Sequence, residues 1–380
     1  MKKGYNGDTD GTQPDRRAIL KTGALGLTSI VGGTGLASAE LNQKQPQGSA
    51  VYTAKAPGGA AISNERRRAV RRQAARDFER KNGRAPAAIP ASEQLTSSGE
   101  VVAYAYGFDA NGVGRSYVGI AGEDMTEPQA ESGRAEAQIH DQFDSHVADI
   151  SSAIETSEQV TTMAGGMVPD TNNMEQVFSQ KLEYLEDPYG TVSSTFYWFI
   201  DTLGSSEGDV HALHSPAGYE PGTSKYGSDY KNEWGRVFHR WNQSDMGNTD
   251  VDYGQWKPYG TQGGSSSTSY SLSVSAGWMT ASVTAGISWS YSQPNVEVVD
   301  ESSPTSEYNQ WQLKLNSAWD DDTRENFIGF QPSSAASMNH YDSSSMGKRT
   351  ISGNEVKAQF SNGDSSRNLW SKNEFYLQPA

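Results

Sequence analysis

From Ser269 to Ser292, apolar side chains and small hydroxyl side chains alternate with hardly a break. Tyr270, Leu272, Val274 and Ala276 are separated by serines, and Met279, Ala281, Val283, Ala285, Ile287, Trp289 and Tyr291 by Thr, Ser and Gly. A period of two puts the two sets on opposite faces of a strand, and no helix accommodates it. The parity switches at Gly277-Trp278, as a turn or bulge there requires. The segment therefore reads as an antiparallel hairpin, and it carries no charged residue in a chain with 46 acidic and 31 basic ones.

Alternation extends beyond this hairpin. Further strands are expected at 307–315, 355–360 and 369–377, whereas 204–265 reads as loops with short strands. Val102, Tyr104, Tyr106 and Phe108 alternate ahead of Asp109-Ala110-Asn111-Gly112, and Asn-Gly marks a tight turn, so 101–121 is a second hairpin. Helical spacing occurs twice between them. Ile139, Phe143, Val147, Ile150 and Ile154 predict a helix over about 128–158. Met174, Val177, Phe178, Leu182 and Leu185 predict another over 172–185, closed by Pro188, with a strand at 192–200 after it. The expected fold is an α+β N-terminal part (99–201) followed by a mainly antiparallel β domain (202–380), a β-sandwich.

Residues 40–98 read as a linker rich in Gln, Pro, Gly and Ala, interrupted by one basic helix over 63–84. Ser63 is its expected cap, Asn82-Gly83 its stop, and Val70, Ala74 and Phe78 its apolar stripe. Arg66, Arg67, Arg68, Arg71, Arg72, Arg76, Arg80, Lys81 and Arg84 make it strongly cationic. It is either a solvated helix or a pro-segment that docks on the acidic body.

Residues 1–39 resemble a twin-arginine export signal. Arg16 and Arg17 precede a weakly apolar stretch that ends at Ala37-Ser38-Ala39, a small-residue cleavage site. The resemblance implies a secreted protein, extracellular or at the cell surface, with the twin-arginine machinery as a partner. Beyond Ala39 the chain has 43 acidic and 26 basic residues, an excess that favours solubility and opposes binding to nucleic acid. With no cysteine and few lysines, this composition resembles that of proteins from salt-loving archaea. The absence of cysteine removes disulfides, thiol catalysis and thiolate metal sites.

The hairpin 269–292 also resembles the membrane-inserting stem of β-pore-forming toxins, in which lipid-facing and lumen-facing residues alternate in this way. That resemblance makes Val274, Trp278, Val283, Ile287 and Trp289 the membrane-facing candidates and a target-cell membrane the partner. The same alternation also suits an ordinary hairpin covering a core. Aromatic residues crowd the stretch before it: Tyr219, Tyr226, Tyr230, Trp234, Trp241, Trp256 and Tyr259. Exposed, they are candidates for stacking on an extracellular glycan; buried, they are core.

Signals for catalysis are weak. Gly204-Ser205-Ser206-Glu207-Gly208 matches a nucleophile pattern without the alternating strands and helices it needs, leaving Ser206 a poor candidate. His211 and His214 form an H-x-x-H pair, with His239 further on, but metal sites want three or four converging ligands. The acidic groups Asp250/Asp252 and Asp320–Asp322 match no calcium loop. No cofactor or metal is expected. Asn242-Gln243-Ser244 is an N-glycosylation acceptor. Non-enzymatic binding at a surface or extracellular polymer is the leading expectation, with a membrane-active toxin and an extracellular hydrolase as alternatives.

Overall fold

A computed structural model describes residues 51–56, 61–122, 133–156, 169–202, 208–247, 249, 255–263, 266–275, 284–293, 296–315 and 321–380. Contacts divide the chain into Met1–Ser38 and Ala39–Ala380, and all described residues belong to the second unit. The export-signal residues Arg16, Arg17, Ala37 and Ala39 lie outside the described residues.

In chain order the elements are β1 (Tyr52–Lys55), α1 (Asn64–Asn82), β2 (Ile89–Ser97), β3 (Glu100–Phe108), β4 (Gly114–Ala121), α2 (Arg134–Thr156), β5 (Asp170–Asn172), β6 (Met174–Glu186), β7 (Gly190–Asp201), β8 (Asp209–His214), β9 (Ala217–Pro221), α3 (Gly222–Tyr226) and β10 (Lys231–Arg240). Then follow β11 (Trp256–Lys257), β12 (Ser266–Ser275), β13 (Thr284–Gln293), β14 (Glu297–Asp300), β15 (Tyr308–Lys314), α4 (Asp321–Glu325), β16 (Ile328–Phe330), β17 (Ser333–Met338), β18 (Arg349–Ser361) and β19 (Ser366–Gln378).

Two large sheets face each other. One runs β1-β3-β4-β6-β7-β8-β17-β11, with β9 and β16 branching from β7; the other runs β14-β15-β10-β18-β19-β2. Among the described residues all pairings are antiparallel except β4 with β6. Among the described residues the sheets are open. Rings interlock between them: Phe375 of β19 lies 6.2 Å from Phe178, 5.2 Å from Phe196 and 6.4 Å from Trp198. Aromatics thus fill a core that the low aliphatic content could not fill alone. The chain is a β-sandwich with a small helical part near its N-terminus, as expected.

Helix α1 starts and stops where its sequence dictates. Ser63 Oγ accepts from the Arg66 amide at 3.2 Å, and Gly83 turns left-handed at φ 68° with its N–H on the Glu79 carbonyl. Val70, Ala74 and Phe78 are buried, as the stripe implies. The helix is nevertheless not a solvated rod on a linker. Arg71 is 1 % exposed and donates to the hydroxyls of Tyr104 at 3.2 Å and Tyr376 at 2.6 Å. Nor are its flanks free: β1 pairs with β3, and β2 forms the edge of the second sheet beside β19. The expected linker 40–98 thus contributes two strands and a buried cation to the sandwich. The ten-stranded sheet likewise crosses the expected boundary at 201/202, joining β7 to β8, β9 and, through β8, β17.

The helix expected over 172–185 is instead the strand β6, parallel to β4 and antiparallel to β7. Phe178, Leu182 and Tyr184 face the sandwich core, while Leu185 joins a second apolar cluster under α2. Helix α2 lies over β3 and β4 through Ile139, Phe143, Ile150 and Ile154, making a third layer. A strand covered on both faces loses its polar–apolar alternation, and its apolar residues then mimic helical spacing.

Candidate functional site

The hairpin β12–β13 belongs to neither large sheet. Its register sets Thr268 opposite Tyr291, Tyr270 opposite Trp289, Leu272 opposite Ile287 and Val274 opposite Ala285. The intervening pairs are Ser269–Ser290, Ser271–Ser288 and Ser273–Gly286. From Tyr270 to Val274, apolar therefore meets apolar on one face, and hydroxyl meets hydroxyl or glycine on the other. Leu272, Ala285, Ile287 and Trp289 are buried against the body, whereas Ser269, Ser271 and Ser290 are exposed. Ser269 and Ser290 bridge the strands, their Oγ atoms 2.8 Å apart.

Among the described residues, the ladder of this hairpin closes on itself and on β5 alone. Three register pairs make that edge: Gly286–Asn172, Ile287–Thr171 and Ser288–Asp170. Side chains do the rest. Trp289 donates from Nε1 to the Gln331 carbonyl at 3.0 Å and packs on the His214 ring at 5.1 Å. No charged side chain occurs between Lys257 and Glu297. Val283 and Trp278 lie outside the described residues, and for Val274 only the backbone is described.

His211, His214 and His239 are buried side chains partnered by an indole or by hydroxyls. His211 and His214 are three apart on β8 and so point to opposite faces of the strand, which prevents their converging on a metal. Trp198 Nε1 donates to His211 Nδ1 at 3.0 Å, while His214 Nδ1 and Ser333 Oγ are 2.7 Å apart. His239 sits between two hydroxyls, Ser215 at 2.7 Å from Nε2 and Ser334 at 2.6 Å from Nδ1, with no carboxylate to orient it. All three imidazoles are fully buried. Burial holds His211 at about 4; burial and the neighbouring His239 hold His214 at about 3; burial alone puts His239 at about 3. Among the described residues no group of three His, Asp or Glu could hold a metal ion. His140 reaches the Val102 carbonyl at 3.2 Å, and Asp144 pairs with Lys55 at 3.0 Å. Ser206, Asp250, Asp252 and Asp320 lie outside the described residues.

The aromatic stretch does not form one stacking surface. Tyr219, Trp241 and Trp256 are buried, Tyr226, Tyr230 and Trp234 are half-buried, and only Tyr259 is exposed. Trp256 Nε1 donates to Asp300 Oδ2 at 2.8 Å and Trp241 Nε1 to Ser334 Oγ at 2.9 Å, so both rings are core with their polar tips satisfied. Trp256→Ala is accordingly expected to lower unfolding stability by about 3–5 kcal/mol in a denaturant titration. Unchanged stability would show that the ring is not core. Asn242 is exposed, as an acceptor for a glycan must be.

One polar constellation is not legible in the sequence, because the helical reading of 172–185 hides it. Glu183 of β6 has its Oε2 2.9 Å from both His146 Nε2 of α2 and the Tyr117 hydroxyl, while Lys181 Nζ is 3.0 Å from Oε1. Burial raises the carboxyl, but the His146 hydrogen bond and the Lys181 charge outweigh it and hold Glu183 at about 2. The carboxylate stays ionised and fixed beside a small cleft.

No protein-family model matches the sequence, and no curated protein matches it. Among solved structures, a pore-forming protein is 13 % identical, covering 55 % of this chain and 90 % of its own at a TM-score of 0.30. The delta-toxin of Clostridium perfringens is 10 % identical, covering 56 % and 92 % at 0.30. The membrane-inserted form of the NetB toxin of the same organism is 10 % identical, covering 54 % and 95 % at 0.20. Scores this low leave both fold and function to be argued from the chain itself.

Proposed function

We propose that this chain is an exported, membrane-active protein whose β12–β13 hairpin leaves its bed and enters the bilayer of a target cell. The observation that carries the reading is a charge-free hairpin, apolar on one face and hydroxyl on the other, held to the body by a three-residue edge. Each arm is 10 residues long, and a tilted transmembrane strand needs about 9–11. Among the described residues, departure unpairs no strand of the two large sheets. Lipid then takes the place of the core against Leu272, Ala285, Ile287 and Trp289, while the serine face lines water. The open edges of a lone hairpin are not tolerated in hydrocarbon, so several copies must close a barrel.

Dye release from liposomes in molar KCl tests this reading. Release that grows steeply with protein concentration is expected, and no leakage at any concentration would leave the hairpin an ordinary cover of the core. Export is part of the proposal and carries its own check. Replacing Arg16 and Arg17 by lysine should abolish secretion, and normal delivery of that variant to the medium would remove the extracellular role.

A further inference from the structure

Helix α2 covers only part of the outer face of the ten-stranded sheet. Beside it the face continues across β6, β7 and β9, where Lys181 pairs with Thr195, Glu183 with Ser193, and Ser193 in turn with Gly218. This strip is the floor of a cleft of about 210 Å³. Gln142 of α2 stands on one wall, and Phe327, Glu220 and Lys225 on the others. Phe327 is 44 % exposed, more than any other large apolar side chain among the described residues. It reaches this position because β16, which follows it directly, pairs with β9. Its ring lies over Gly218, where a Cβ would come within 2.5 Å of Phe327 Cε2 and 2.7 Å of Ser193 Oγ. Glycine is therefore what lets an exposed ring lie down beside a hydroxyl-bearing floor.

The chemistry of the lining selects a ligand class. Lysines and carboxylates are matched: Lys181 pairs with Glu183 at 3.0 Å and Lys225 with Glu220 at 3.5 Å. No net charge is left over for a phosphate or a carboxylate. The space is below the roughly 300–1,000 Å³ of pockets for drug-sized ligands, so a single ring fits better than an extended molecule. Hydroxyls, paired charges and one open aromatic face together suit a neutral ring with polar edges and an apolar face.

We propose that this cleft binds one sugar ring of a surface glycan, its C–H face on Phe327 and its hydroxyls on Ser193, Glu220, Lys225 and Lys181. Glu183, anchored by His146 and Tyr117, positions Lys181 for that contact. The site uses none of the aromatic rings between 219 and 259, most of which are wholly or partly buried. It does not rest on membrane action, because sugar binding needs no bilayer.

Free glucose, galactose, mannose and N-acetylglucosamine, titrated into the whole protein and followed by saturation-transfer NMR, test it. At least one should bind with a dissociation constant of about a millimolar, as expected of one ring on an open site. Phe327→Ala should weaken it about tenfold or more while leaving the thermal midpoint nearly unchanged, since the ring is exposed. Lys225→Ala should weaken it as well, an effect that a purely structural Phe327 does not produce. Three results overturn the proposal: no sugar of the panel receives saturation, binding persists in Phe327→Ala, or inorganic phosphate displaces the sugar. Dye release from sugar-free liposomes reports on the hairpin alone, so failure of either reading is visible separately.

Discussion

With cysteines at positions 170 and 288, the oxidised protein is expected to lose its membrane leakage, and reduction is expected to restore it. Asp170 and Ser288 are register partners on the hydroxyl face of the β5–β13 edge. Antiparallel partners lie about 4.5–5.5 Å apart at Cα, within the span a disulfide accepts. The bond ties the hairpin to the body and not to a second mobile piece. β5 ends at Asn172 and β6 begins at Met174 inside the large sheet, with Asn173 making the corner at φ 52°. Since the chain has no cysteine of its own, the bond formed is unambiguous. Release at the rate of the reduced protein while the disulfide is intact would show that permeabilisation needs no departure of this hairpin. A fall in release of tenfold or more on oxidation is the expected size, because the locked state has no other uncharged strand pair to insert among the described residues.

The second large effect is acid unfolding. His211, His214 and His239 are neutral in the fold, with values near 4, 3 and 3 against about 6.5 in an unfolded chain. As pH falls below about 6.5 the unfolded chain binds protons that the buried rings cannot, so stability declines from there down to about 3. Each unit of difference is worth about 1.4 kcal/mol, so the three rings together rival the roughly 5–15 kcal/mol net stability of a domain. Glu183 adds to the loss below about 4.5, because its native value lies near 2. Near-UV circular dichroism at constant salt is therefore expected to show cooperative loss of tertiary structure with a midpoint between about pH 6 and 4. A native spectrum retained to pH 3 would mean the imidazoles are not held neutral. Serines partner these neutral rings: Ser333 meets Nδ1 of His214, while Ser215 and Ser334 satisfy both nitrogens of His239.

The role of the hairpin and the role of the cleft differ in how much of each shows in one dimension. The alternation from Tyr270 to Tyr291 already implies two unlike faces, and the register adds that each face is uniform across both strands. The cleft is invisible in the same sequence, because Lys181, Ser193, Gly218 and Phe327 become neighbours only through β6–β7, β7–β9 and β9–β16 pairing. The buried polar residues were equally hard to read. Asn232, Gly235, Val237 and His239 form the inward face of β10, a poor hydrophobic signal for the centre of a sheet. Gly235 is there because a Cβ would come within 2.7 Å of the Tyr219 ring.

By itself the sequence determined whatever is decided within about 20 neighbouring residues. That covers the capped helix α1 from Ser63 to Gly83, the Asp109–Gly112 turn joining β3 to β4, the apolar stripe of α2, and the β12–β13 hairpin. Caps, tight turns and two-fold alternation act through local hydrogen bonds and backbone sterics, so they survive without knowledge of the partner. Tertiary structure alone decided that 174–186 is a strand, that Arg71 is core, and that Trp241 and Trp256 are buried and not displayed. In each case the outcome depends on which faces other elements cover, and burial is a property of the assembled layers, not of any segment.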